Sequence, residues 1–73
     1  MRIQVVVYRD PLDPSWFIAE AVCCGELVAD QGKTPEEAVT NIREALELLM
    51  EEKGSKEGLE LEVHVKSAEV LVE

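Results

Sequence analysis

Three sets of residues have the types that chemistry uses. Cys23 and Cys24 are adjacent thiols, His64 is the single histidine, and Asp10, Asp13, Glu20 and Asp30 are carboxylates near the ends of apolar runs. Paired thiols form disulfides or hold zinc, a histidine moves protons near neutral pH, and clustered carboxylates hold paired Mg²⁺ ions for phosphoryl chemistry. None of these sets is complete in the sequence. Neighbours in a strand point to opposite faces, so Cys23 and Cys24 are not expected to bridge each other. His64 is the one further ligand of Cys/His type, too few for a conventional zinc site. Both cysteines read as reduced packing residues. Asp10 and Asp13 fall in the run DPLDPS, where turn chemistry accounts for them. His64 has no sequence partner to tune it and reads as a solvated residue. The expectation is a chain with no catalytic set, no metal and no cofactor: a binding module rather than an enzyme.

The elements that carry these residues are legible from periodicity. Residues 2 to 9 alternate as a first strand, with Ile3, Val5 and Val7 on one face and Gln4, Val6 and Tyr8 on the other. A second strand spans 16 to 24, with Phe17, Ala19 and Ala21 opposite Trp16, Ile18, Glu20 and Val22. Gly25 breaks it, and a short third strand runs from Glu26 to Asp30. The short connections predict an antiparallel meander. Thr34, Pro35 and Glu37 then form a helix start, with a capping hydroxyl, a proline at the first turn and a reciprocal carboxylate. Ala38, Ile42, Ala45 and Leu49 repeat at helical spacing, widened by Val39, Leu46 and Met50, so the helix runs from Pro35 to about Lys53 and stops at Gly54. Residues 59 to 66 alternate again, with Leu59, Leu61, Val63 and Val65 facing the core and Glu60, Glu62, His64 and Lys66 facing water. Val70 to Val72 either extend that strand past a break near Ser67 or dock on a second subunit.

The fold class is therefore α+β, in the order β-β-β-α-β: an antiparallel three-strand meander, a helix on one face and a fourth strand, all in a single domain over residues 1–73. Small residues Ala19 and Ala21 suit the face under the helix. The opposite face then carries Val6, Tyr8, Trp16, Ile18 and Val22, which is too apolar to be left in water. A domain of 73 residues buries a small core, so this face is expected to pair with another chain, most simply in a homodimer.

Charge narrows the partner. With 7 basic and 16 acidic residues the net charge is -9, which argues against direct nucleic-acid binding and against an anionic membrane surface. A basic protein is the natural electrostatic partner. No run approaches the ~20 apolar residues of a membrane span, and the apolar run after Arg2 ends too early for a secretory signal, so a cytoplasmic protein is expected.

The stretch WFIAEA followed by DQGKTPEEAVTNIREALELLMEE resembles the HicB antitoxin family. That family shows an aromatic-x-Ala strand and a helix of the pattern GxTxEEAxxNxxEAI. The matching residues here are Phe17 and Ala19, then Gly32, Thr34, Glu36, Glu37, Ala38, Asn41, Glu44 and Ala45. The likeness covers roughly residues 3 to 66. It departs from the family at AVCCGELVAD, which has one extra residue and lacks the usual proline. The resemblance implies a partial RNase H-like fold and a role in binding and inhibiting a small basic mRNA-cleaving toxin of the HicA type. Many members also carry a helix-turn-helix or ribbon-helix-helix module, which these 73 residues do not contain, so direct operator binding is not expected. For that role Trp16 and Tyr8 are the candidate anchors, with Glu20 and Glu44 as the charged rim. The alternative is a stand-alone oligomeric scaffold or sensor domain with no toxin partner.

Overall fold

The computed structural model describes residues 1–66. The elements are β1 (Arg2–Arg9), β2 (Phe17–Cys23), β3 (Glu26–Gly32), α1 (Pro35–Glu52) and β4 (Glu60–Val65). They form one four-stranded mixed sheet in the order β3-β2-β1-β4. The meander is antiparallel, with Val7 opposite Ala19 and Ala21 opposite Val28. β4 returns beside β1 and runs parallel to it, with Val63 opposite Val5. Parallel neighbours need a long crossover, and α1 supplies it. The expected α+β order is what the chain adopts. Val70 to Val72 lie outside the described residues.

Strand bounds differ from the sequence expectation in β2, in β3 and, by one residue at each end, in β4. β3 continues to Gly32 because Ile18 and Phe17 go on pairing with Gln31 and Gly32 past Asp30. β2 starts at Phe17 and stops at Cys23, because Cys24 and Gly25 turn with φ of 57° and 78°. Positive φ at both central residues is the signature of the tight hairpin turn that matches strand twist.

The helix ends follow local chemistry. Thr34 Oγ1 accepts the Glu37 N–H at 3.0 Å, while the Glu37 carboxylate accepts the Lys33 N–H at 2.7 Å, one residue earlier than in the simplest capping box. At the other end Ser55 N–H donates to the Met50 carbonyl and Gly54 N–H to the Glu51 carbonyl, with Gly54 at φ 78°. These two bonds close the helix in a Schellman arrangement that only a residue tolerant of positive φ completes at low cost.

The core lies between α1 and the sheet. Ile3, Val5 and Val7 of β1 and Ala19, Ala21 and Cys23 of β2 meet Ala38, Ile42, Leu46 and Met50 of the helix. None of the buried residues among those described is polar or charged. The helix packs chiefly on the β3–β2 side, and Asn41 Nδ2 donates to the Gln31 carbonyl at 2.8 Å to hold it there. As a consequence the inner face of β4 is not covered as expected. Val63 is 41% exposed and Val65 59%, although both share the face of the buried Val5 and Val7. Among the described residues no helix is long and apolar enough to cross a membrane.

Gly32 sets how close the helix comes. A Cβ placed there would stand 2.5 Å from the Ala38 backbone nitrogen and 2.8 Å from the Glu37 carbonyl carbon, so backbone would have to move. Gly32→Ala is expected to lower unfolding stability by about 1–3 kcal/mol, read as a reduced urea midpoint with an unchanged slope. An unchanged midpoint would show that the helix start shifts freely.

Candidate binding face

The sheet face opposite α1 is built by alternation. Val6 and Tyr8 of β1, Ile18, Glu20 and Val22 of β2, and Leu27 of β3 all point away from the helix, in the register Tyr8 opposite Ile18, Val6 opposite Glu20 and Val22 opposite Leu27. Val6, Tyr8 and Ile18 shelter one another and are half-buried. Val22 and Leu27 are 67% and 70% exposed and stand together at the hairpin end. A shallow groove of about 280 Å³ runs over Val6, Tyr8, Glu20, Val22, Leu27 and Lys66.

Leu27 belongs to this face but is absent from the sequence-derived set. The signal for it was available: a two-residue turn at Cys24-Gly25 fixes Leu27 opposite Val22. Trp16 is displaced in the other direction. It precedes β2 and sits at the base of the 10–16 loop, where its N–H donates to the Asp13 carbonyl and its carbonyl accepts the Asp10 N–H. Its ring lies 4.0 Å from the Lys33 ammonium, a cation–π contact that occupies it within the chain. Glu44 is separated from the rest. It is exposed on α1, which covers the other face of the sheet, so it cannot form a rim around Val6, Tyr8, Ile18 and Val22.

Glu20 holds the opposite position to the rim expected of it. It stands in the middle of the apolar face, opposite Val6, and accepts the Tyr8 hydroxyl proton at 2.8 Å. That hydrogen bond to the carboxylate is the main reason the Tyr8 pKa lies above 10.0, with desolvation and the nearby negative charges of Glu20 and Asp10 adding to it.

The residues of chemical type are dispersed. Asp10 Oδ1 accepts the Leu12 N–H, Asp13 Oδ1 accepts the Ser15 N–H and hydroxyl, and Asp30 Oδ1 accepts the Gln31 N–H. Turn chemistry accounts for Asp10 and Asp13 as expected. The Ser15 hydroxyl bond, then the Ser15 N–H, hold the Asp13 carboxyl below its usual value. Among the described residues no group of three His, Cys, Asp or Glu side chains is placed to share a metal ion. His64 is exposed, 3.8 Å from Glu62. Cys23 is buried in the core, and burial pushes its thiol up to about 11, so it is a packing residue. Cys24 is not one: it is exposed at the turn, its sulfur 3.2 Å from that of Cys23 with both thiols free.

Comparison with known families, with curated proteins and with solved structures finds no match.

The chain has a single tyrosine, so its titration is unambiguous. The phenolate absorbance of Tyr8 is expected to rise with a midpoint above 10.0, and Glu20→Gln should bring that midpoint down. A raised folded pKa means that the Tyr8–Glu20 bond stabilises the fold fully below pH 10.0 and loses that contribution as pH rises through the folded value. The same midpoint in both proteins would place the bond outside the solution structure. At the turn, Cys24→Asn should raise stability by about 0.5–1 kcal/mol, because asparagine accepts positive φ more readily than cysteine. The check is a urea titration of the two proteins side by side.

Proposed function

We propose that the chain is a HicB-like antitoxin module that binds and inhibits a small basic mRNA-cleaving toxin of the HicA type, using the sheet face opposite α1. The observation that carries this reading is Glu20 in the centre of that face, bonded to Tyr8 and ringed by Val6, Ile18 and Val22. An occupant that covered those side chains would also strip water from the carboxylate. Burying a charge is costly unless a partner charge and hydrogen bonds replace the water. An apolar surface carrying a lysine or arginine fits; a purely apolar or acidic one does not.

The remaining support is physical and comes from charge and residue pattern. A ribonuclease must hold phosphate and is basic where it does so. A net charge of -9 speeds its approach. Affinity then rests on buried anchors, because exposed ion pairs contribute only about 0–1 kcal/mol each. Val22, Leu27 and Tyr8 are the anchors of this reading. Trp16, held by Lys33, stands at the margin. The resemblance along 17 to 52 supplies the antitoxin class. The role involves no catalytic step and no cofactor, and it is a cytoplasmic one.

Co-expression with a small basic ribonuclease of the HicA type is the test. The two should co-purify, and growth arrested by the ribonuclease should recover. Leu27→Asp and Glu20→Gln should each raise the dissociation rate about tenfold or more. Glu44→Lys, on the far side of the domain, should leave that rate unchanged and mainly slow association. A chain that neither co-purifies nor restores growth is not an antitoxin, and a self-assembling one with no partner is a scaffold.

A further inference from the structure

Among the described residues, the outer edge of β4 combines an exposed apolar row with backbone that pairs with no other strand. Glu60 N–H donates to the Met1 carbonyl and Lys66 N–H to the Val7 carbonyl, so the even-numbered residues of β4 turn their amides toward β1. By strand alternation Leu61, Val63 and Val65 turn theirs to the open side. These three also carry the side chains on the helix face, of which Val63 and Val65 are the exposed ones. An edge of this kind is a template for another strand.

We propose that the occupant is β4 of a second copy of this chain, antiparallel across a two-fold axis at Val63. The sequence Glu60-Leu61-Glu62-Val63-His64-Val65-Lys66 is self-complementary in that register. Val63 faces Val63 of the other copy, Leu61 faces Val65, Glu62 faces His64 and Glu60 faces Lys66. Each apolar residue meets an apolar one on the helix side of the sheet. Each acidic residue meets a basic one on the other. The odd residues, whose amides are free, fall opposite one another and exchange both of their hydrogen bonds. Moving the axis to Glu62 sets Glu62 against its own copy. Moving it to His64 does the same to His64 and leaves Glu60 without a basic residue opposite. Registers with the axis between residues set free amides against bonded ones.

The product is one continuous sheet of two four-stranded halves, in the order β3-β2-β1-β4-β4-β1-β2-β3. Both helices then lie on one side and both Tyr8–Glu20 faces on the other. The pairing leaves those faces open, so it stands independently of the partner proposed for them.

Sedimentation of the full chain at micromolar concentration should give twice the 8.1 kDa chain mass. Val63→Lys, which sets like charges across the axis at an already exposed position, should give a folded monomer by circular dichroism. Glu60→Lys and Lys66→Glu should each weaken the dimer about tenfold, because attraction at two symmetric pairs becomes repulsion. The double variant Glu60→Lys/Lys66→Glu should restore it, and Ile18→Asp on the opposite face should leave it intact. A monomeric parent, or a dimer abolished by Ile18→Asp and untouched by Val63→Lys, would overturn the β4 interface. Single reversals that weaken the dimer with no recovery in the double variant would overturn the register.

Discussion

One helix has to serve four strands, and the rest of the structure follows from that shortage. A helix with its side chains is about 10 Å across, whereas adjacent strands lie about 4.8 Å apart, so α1 can cover little more than two of them. It settles over β3 and β2, where Ala19, Ala21 and Gly32 let it come close, and reaches β1 only in part. The core is correspondingly small and wholly apolar, with Ile42, Leu46, Val5 and Val7 as its largest fully buried side chains. β4 is left at the margin with its inner valines in water. The far face of the sheet has no cover within the described residues.

The two uncovered surfaces have different characters. The outer face is broad and mixed: Val22 and Leu27 stand exposed at one end, Val6, Tyr8 and Ile18 protect one another, and Glu20 sits among them with a single internal hydrogen bond. Such a surface accepts a partner that brings both apolar area and a cation. The β4 edge is narrow and regular, with Glu60, Glu62 and His64, then Lys66 just beyond the strand, along one side and aliphatic residues along the other. Such an edge is a template for a strand of matching alternation. A small domain with this geometry can use one surface for itself and the other for a different protein.

The acidic charge acts on both surfaces without shaping the fold. Most of the carboxylates lie in water or in local turns, and the ion pairs among the described residues are exposed ones such as Lys53 with Glu26 and Arg2 with Glu62, which contribute little to stability. Glu20 is the exception, because its neighbours rather than its charge decide what it can meet. A carboxylate at the margin of a face tunes the rate of encounter. A carboxylate inside the face selects the chemistry of what stays.

The sequence by itself determined the elements and their faces. The period-2 runs of β1, β2 and β4, and the capping residues Thr34, Pro35 and Glu37, encode their structure locally, so element order, helix limits and the split between Ile3, Val5, Val7 and Val6, Tyr8 were legible in advance. The turn roles of Asp10 and Asp13 were legible for the same reason. Only the tertiary structure decided how far the helix reaches across the sheet, and hence that Val63 and Val65 stay exposed, that Glu20 is central and that Glu44 lies on the wrong side to join that face. Alternation says which face a side chain takes. Whether that face is covered depends on the place of each strand in the sheet and on the width of the one helix laid over it, and neither is written in any local run of residues.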